Sequence, residues 1–114
     1  MLMFNIFLSV LVRPRVVIPD LTVSGKRGLT AEIRCTQTSN PLATTLTWTK
    51  IESNNAISTI AIDNNKYFGG SVLSPTLTIT NLDASDEASY RCSATNAVGT
   101  GSSEIAVLTV DLSC

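Results

Sequence analysis

From Ser89 to Ala94 polar and apolar residues alternate strictly: Ser89, Arg91 and Ser93 on one side, Tyr90, Cys92 and Ala94 on the other. A period of two sends these two sets to opposite faces of an extended chain, so the stretch predicts a half-buried strand. The same period recurs at Leu29, Ala31, Ile33 and Cys35, at Leu46 and Trp48, and at Leu77 and Ile79. These runs predict strands over 29–36, 45–51 and 76–80. Residues 16–18 (VVI) read as a first strand, broken by Pro19 and resumed at 21–23, because proline cannot donate to a ladder. Residues 57–62 (ISTIAI) predict an edge strand beside 45–51, residues 66–70 a short strand ending at two glycines, and residues 102–110 the last strand. Between them lie turn signals: Gly25-Lys26-Arg27-Gly28, a polar loop over 37–44 with Asn40-Pro41 as its turn, Asp63-Asn64-Asn65, an acidic corner over 83–87, and Asn96 to Gly101.

Many short strands without a helical period indicate an all-β protein, and 114 residues give room for one domain. The apolar fraction of 44% suffices for a core. Net charge is −1 and the eight cationic residues are scattered, so there is no basic patch to hold nucleic acid. The absence of histidine removes the commonest general base and metal ligand. Serine and threonine are plentiful, but no activating base is marked out beside any of them, so the chain reads as no enzyme and no cofactor is implied. Three widely separated cysteines do not make a zinc site. Asp83, Asp86 and Glu87 match no calcium loop and read as a solvated turn with a structural aspartate.

Cys35, Trp48 in Leu46-Thr47-Trp48-Thr49, and Tyr90-Arg91-Cys92, in that order, resemble the immunoglobulin superfamily over roughly residues 15–110, with the I-type (intermediate) set the nearest. Asp86, Ala88, Tyr90 and Cys92 match the family's Asp-x-Gly/Ala-x-Tyr-x-Cys pattern. The resemblance implies an immunoglobulin-like β-sandwich of two antiparallel sheets with Greek-key connections and a Cys35–Cys92 inter-sheet disulfide. It also implies a core holding Trp48 over that bridge together with Leu77, and a Tyr90 hydroxyl bonded to backbone upstream. Lys66 is placed to pair with Asp86. A bridge between cysteines 57 residues apart is worth about 4 kcal/mol by chain entropy. It implies an oxidising, extracellular setting. The alternative is a reduced, buried pair in an intracellular structural repeat of muscle-filament type.

Residues 1–14 form an apolar leader: the run 1–12 is too short to span a membrane as a helix and reads either as the apolar part of a signal peptide or as a piece of an upstream segment. Residues 111–114 form a tail. Cys114 is an odd cysteine, available for a bond between chains or to a neighbouring domain. Both ends suggest a fragment of a larger protein. No Asn-x-Ser/Thr glycosylation sequon occurs.

Alternation places Thr47, Thr49 and Ile51 outward on one strand, Arg91, Ser93 and Thr95 on the next, and Ile105 and Val107 on the last. A flat face of small hydroxyls, a few exposed apolar residues and one arginine is the candidate binding face; a β-branched strand surface without a partner has the same composition. The expected function is a non-catalytic extracellular recognition or cell-adhesion module, secreted or at the cell surface, binding a protein ligand or another immunoglobulin-type domain.

Overall fold

The computed structural model describes residues 10–113. The apolar run over 1–9 and Cys114 lie outside the described residues. Among the described residues eleven strands run in order: β1 (Val12–Val17), β2 (Thr22–Lys26), β3 (Ala31–Ile33), β4 (Thr36–Asn40), β5 (Thr45–Ile51), β6 (Ile57–Thr59), β7 (Tyr67–Gly69), β8 (Leu77–Ile79), β9 (Ala88–Thr95), β10 (Thr100–Ser102) and β11 (Ala106–Asp111). A turn of 3₁₀ helix, Ala84–Asp86, precedes β9.

The strands form two layers. One has the order β2-β11-β9-β5-β6, with β10 pairing the far end of β9. The other is made of β3-β8-β7 and of β1-β4. β3 and β4 are successive halves of one extended run, since the inward positions Ala31, Ile33, Cys35, Gln37 and Ser39 keep their period of two straight through. The run changes partner at its middle. The β3–β8 ladder ends at the Ile33–Leu77 pair, the Cys35 N–H turns to Thr76 Oγ1 (3.2 Å), and β4 then pairs with β1. The inner faces meet in a continuous apolar core in which Trp48, Tyr90, Ile33, Leu77, Ile79 and Leu108 are almost wholly excluded from solvent.

Several elements differ from the sequence expectation. The first strand begins at Val12, inside the stretch 1–14 read as a leader, and Arg13-Pro14-Arg15 lies within it; its register with β4 slips between Val12 and Arg15, where the proline sits. Residues 37–40, expected as loop, belong with Thr36 to β4: main-chain bonds to β1 make a strand of a sequence (TQTSN) with no apolar period. Leu29 does not continue the inward set; it is 59% exposed, before β3 begins. β2 runs on through Gly25 and Lys26 and pairs with β11 in parallel, so the sheets are antiparallel except for this pair. β11 includes Asp111, the first residue of the expected tail.

The last strand is divided. β10 pairs with Thr95, Ala94 and Ser93, and β11 with Tyr90, Ser89 and Ala88, with the register shifted by one residue between them. Ser103 spans the break: its N–H donates to the Cys92 carbonyl (2.8 Å) and its Oγ accepts from the Cys92 N–H (3.0 Å). The extra residue leaves Glu104 and Ile105 both facing solvent. Next to it Gly101 lies directly under the Pro14 carbonyl, where a Cβ would collide with backbone. That close approach lets β1 cover β10.

Candidate protein-interaction face

The corner before β9 uses up its own polar groups. Asp86 is 2% exposed, and its Oδ2 accepts from Lys66 Nζ (2.8 Å) and from the Asp83 N–H (2.8 Å). Lys66 Nζ also donates to the Thr80 and Asn81 carbonyls (2.8 and 3.0 Å), so one ammonium ties the segment after β8 to the corner. The Tyr90 hydroxyl donates to the Asp86 carbonyl at 2.6 Å. Burial pushes the Tyr90 phenol up from its ordinary value, and the partly buried Tyr67 shifts the same way for the same reason. The acidic cluster is thus held by protein donors, and no group of potential metal ligands occurs among the described residues.

Cys35 and Cys92 are both buried, one from each layer, and adjoin each other in the core. Interaction between the two sulfurs holds the Cys35 thiol below its ordinary value and, with burial, pushes the Cys92 thiol up. Trp48 is opposite Cys92 in the β5–β9 ladder and donates its indole N–H to the Pro75 carbonyl (2.8 Å). Leu77 is fully buried opposite Ile33.

On the outer face of this sheet the side chains stand in rows set by register. Thr45, Thr95 and Thr100 form one row, and Thr47, Ser93 and Ser102 the next. Their hydroxyls bond one another, Thr95 to Thr100 and Ser93 to Ser102, each at 2.8 Å. Thr49 is opposite Arg91. Arg91 is exposed and makes no hydrogen bond or ion pair among the described residues; the two ion pairs there are Arg34–Asp20 and Lys66–Asp86. The fourth row is Ile51, Ser89 and Val107, extended by Ile57 of β6.

Ile51, Ser89 and Val107 of this row floor a depression of about 240 Å³, lined also by Ala88 and Leu108, with Glu52 and Glu87 at its rim. Glu87 is pinned there by the Val110 N–H, which donates to its Oε1 (2.8 Å). Thr47, Thr49, Arg91 and Ser93 stand on the same face outside the depression, and so does Ile105, 39% exposed beyond the break in the last strand. The face therefore has a hydroxyl half, bonded in part within itself, and an apolar half.

Sequence reasoning overlooked Ile57 and Ser89, which register rather than sequence proximity brings beside Ile51, and Glu87, which is held there by the Val110 N–H. It also overlooked the buried Asn96, whose Nδ2 donates to the Val12 and Pro41 carbonyls (2.8 and 2.9 Å) and whose Oδ1 accepts from the Val98 and Gly99 N–H groups. The Asn-x-x-Gly turn was the visible part of that arrangement; its bonds to two distant segments left no local trace.

Among known proteins, the family model described as "Immunoglobulin domain" matches residues 13–96. No curated protein matches the sequence significantly. Among solved structures, "Tandem Ig repeats of Dlar" superimposes with a TM-score of 0.71 at 25% identity, covering 88% of this chain and 49% of that one. A "Marsupial T cell receptor" superimposes with a TM-score of 0.68 at 15% identity, covering 89% and 52% respectively, which is a likeness of fold. The chain spans about half the length of each of these structures. With a family model matched over most of its length and two β-layers packed around Cys35, Trp48 and Cys92, the chain belongs to the immunoglobulin domain family.

Proposed function

We propose that this domain is a non-catalytic extracellular recognition module of I-type, one unit of a multi-immunoglobulin cell-surface or secreted protein, with Cys35 and Cys92 oxidised to a disulfide. The I-type assignment is supported by the division of the first strand between layers, β1 on β4 and β2 parallel to β11. The extracellular setting is supported by the two cysteines buried close together between the layers and by the likeness to tandem repeats about twice this chain's length. The family is typically non-catalytic, and no helix among the described residues is long and apolar enough to cross a membrane.

One observation carries the binding role: the outer sheet face joins an unpaired Arg91 to an apolar depression at Ile51 and Val107. Arginine and buried apolar anchors dominate interface energetics, whereas the hydroxyl rows beside them contribute shape. The ligand is a protein surface, either a different partner or another immunoglobulin-type domain.

Two experiments test the reading. Intact mass of the protein exported from a eukaryotic cell, alkylated before and after reduction, will show Cys35 and Cys92 bridged; retention inside the cell with both thiols alkylatable on unfolding overturns the extracellular assignment. The same spectra report whether residues ahead of β1 are removed and whether Cys114 links two chains. For the face, Arg91→Glu combined with Val107→Asp will weaken a captured partner at least about tenfold. An unchanged affinity removes this face as the site.

A further inference from the structure

The row Ile51–Ser89–Val107 has its smallest side chain in the middle. A serine between two β-branched residues leaves a hollow that they flank, so the depression is a consequence of register. Ile51 and Ser89 form the last rung of the antiparallel β5–β9 ladder, and each chain places a glutamate just past it: Glu52 after Ile51, and Glu87 two residues before Ser89. Both carboxylates therefore stand at the same end of the depression. Arg91, two residues along β9 in the other direction, stands beyond the opposite end.

Both glutamates are exposed, and neither has a cationic partner among the described residues, where the ion pairs are Arg34–Asp20 and Lys66–Asp86. Lys50, next to Ile51, gives its ammonium instead to the Ser85 carbonyl (2.6 Å). Glu87 accepts from the Val110 N–H at Oε1, which leaves its Oε2 without a donor among the described residues. The hollow thus joins an apolar floor to two unpaired negative charges. A wholly apolar occupant would cover the carboxylates without pairing them, and an acidic one would meet like charge. A long basic side chain suits both parts, because its alkyl stem lies on apolar surface while its head stays among polar groups.

We infer that this depression receives one long basic side chain, arginine or lysine, from the surface of a partner protein. The stem lies over Ile51 and Val107, and the cationic head meets Glu52 and Glu87. The inference rests on the face proposed above as the interaction site and adds the chemistry that the site recognises. With Arg91 at the far end, the face is bipolar along β9, and charge complementarity then fixes which way round the partner lies.

The test is an NMR titration of the isotope-labelled full chain with the blocked peptide acetyl-Gly-Arg-Gly-amide and with its citrulline counterpart, which keeps the shape without the charge. The arginine peptide will shift the Ile51, Ser89 and Val107 amides with a dissociation constant of about 10 mM or below, and the citrulline peptide will bind at least about fivefold more weakly. Glu52→Gln on an exposed side chain, combined with Glu87→Gln, which keeps an acceptor for the Val110 N–H, will weaken the arginine peptide at least about fivefold. Glu32→Gln, exposed on the other layer, will leave it unchanged. No saturable shift at these amides, equal binding of the citrulline peptide, or an equal loss in Glu32→Gln overturns the inference. So does free arginine bound at least about tenfold more tightly than the blocked peptide, which would make the depression a small-molecule pocket. A captured partner weakened by Arg91→Glu with Val107→Asp but not by the two glutamines leaves the face in place and overturns this inference alone.

Discussion

The two sides of β9 do opposite things with polar chemistry. Inward, the Tyr90 hydroxyl and the Asp86 carboxylate beneath it are buried, and every bond they make is to this chain: the Asp86 carbonyl, the Asp83 N–H and Lys66 Nζ. Outward and one residue on, Arg91 is exposed and makes no such bond among the described residues, and the neighbouring hydroxyls bond only one another. Alternation along a strand thus separates groups that hold the fold from groups free to meet a partner. Substitutions on the inner side should cost stability, and those on the outer side should cost affinity alone.

The sharpest way to break this contrast is at Asp86. Asp86→Ala strips the corner of its cap and leaves the Lys66 ammonium without its carboxylate. A loss of about 3 kcal/mol is expected in urea unfolding, the low end for a broken buried pair because Lys66 is partly solvated. Asp86→Asn, which keeps an acceptor for the Asp83 N–H, should lose less. A loss below about 0.5 kcal/mol for Asp86→Ala would show that the corner does not depend on the pair.

Tyr90→Phe removes one buried hydroxyl and leaves the Asp86 carbonyl without that donor, so about 1–2 kcal/mol is expected by thermal or chemical unfolding. The same variant tests the pH dependence. The phenol's value is raised on folding, so the unfolded chain loses that proton first. Tyr90 therefore stabilises fully below about pH 10, and this stabilisation is lost as pH rises from there toward the folded-state value. Tyr67 acts in the same direction. Alkaline unfolding curves of wild type should fall above pH 10, and those of Tyr90→Phe should fall less steeply. Parallel curves would place the titrating group elsewhere.

The smallest effect belongs to the outer side. Ser93→Ala or Thr47→Ala should change stability by no more than about 0.5 kcal/mol, as for exposed positions generally. A loss above about 1 kcal/mol for Ser93→Ala would mean that its bond to Ser102 helps hold β10 onto β9, and the division between the two sides of β9 would blur.

Much of this could be read along the chain. The strands carrying Trp48, Leu77 and Tyr90 announce themselves by period, and each inward residue there is apolar or aromatic. The Lys66–Asp86 pair was legible as a spacing once the corner was recognised. β4 was not legible, because Thr36, Gln37, Thr38, Ser39 and Asn40 offer no apolar face and become a strand only through bonds to β1. The depression was legible only in part: Ile51 and Val107 point outward by alternation, but Ser89 joins them through ladder register and Glu87 through the bond it accepts from the Val110 N–H. Leu29 misled, since it keeps the period of Ala31 and Ile33 yet precedes the first rung of their ladder.

By itself the sequence determined the class of fold, the inward set of the central strands and the corner built on Tyr90. These follow from local alternation and from a few residues whose side chains fit one place in a sandwich. The tertiary structure alone decided where the first and last strands divide and which distant outward residues share one hollow. Those depend on main-chain pairing between segments far apart, and main-chain groups are the same in every residue except proline, so little of that pairing is written in side-chain identity.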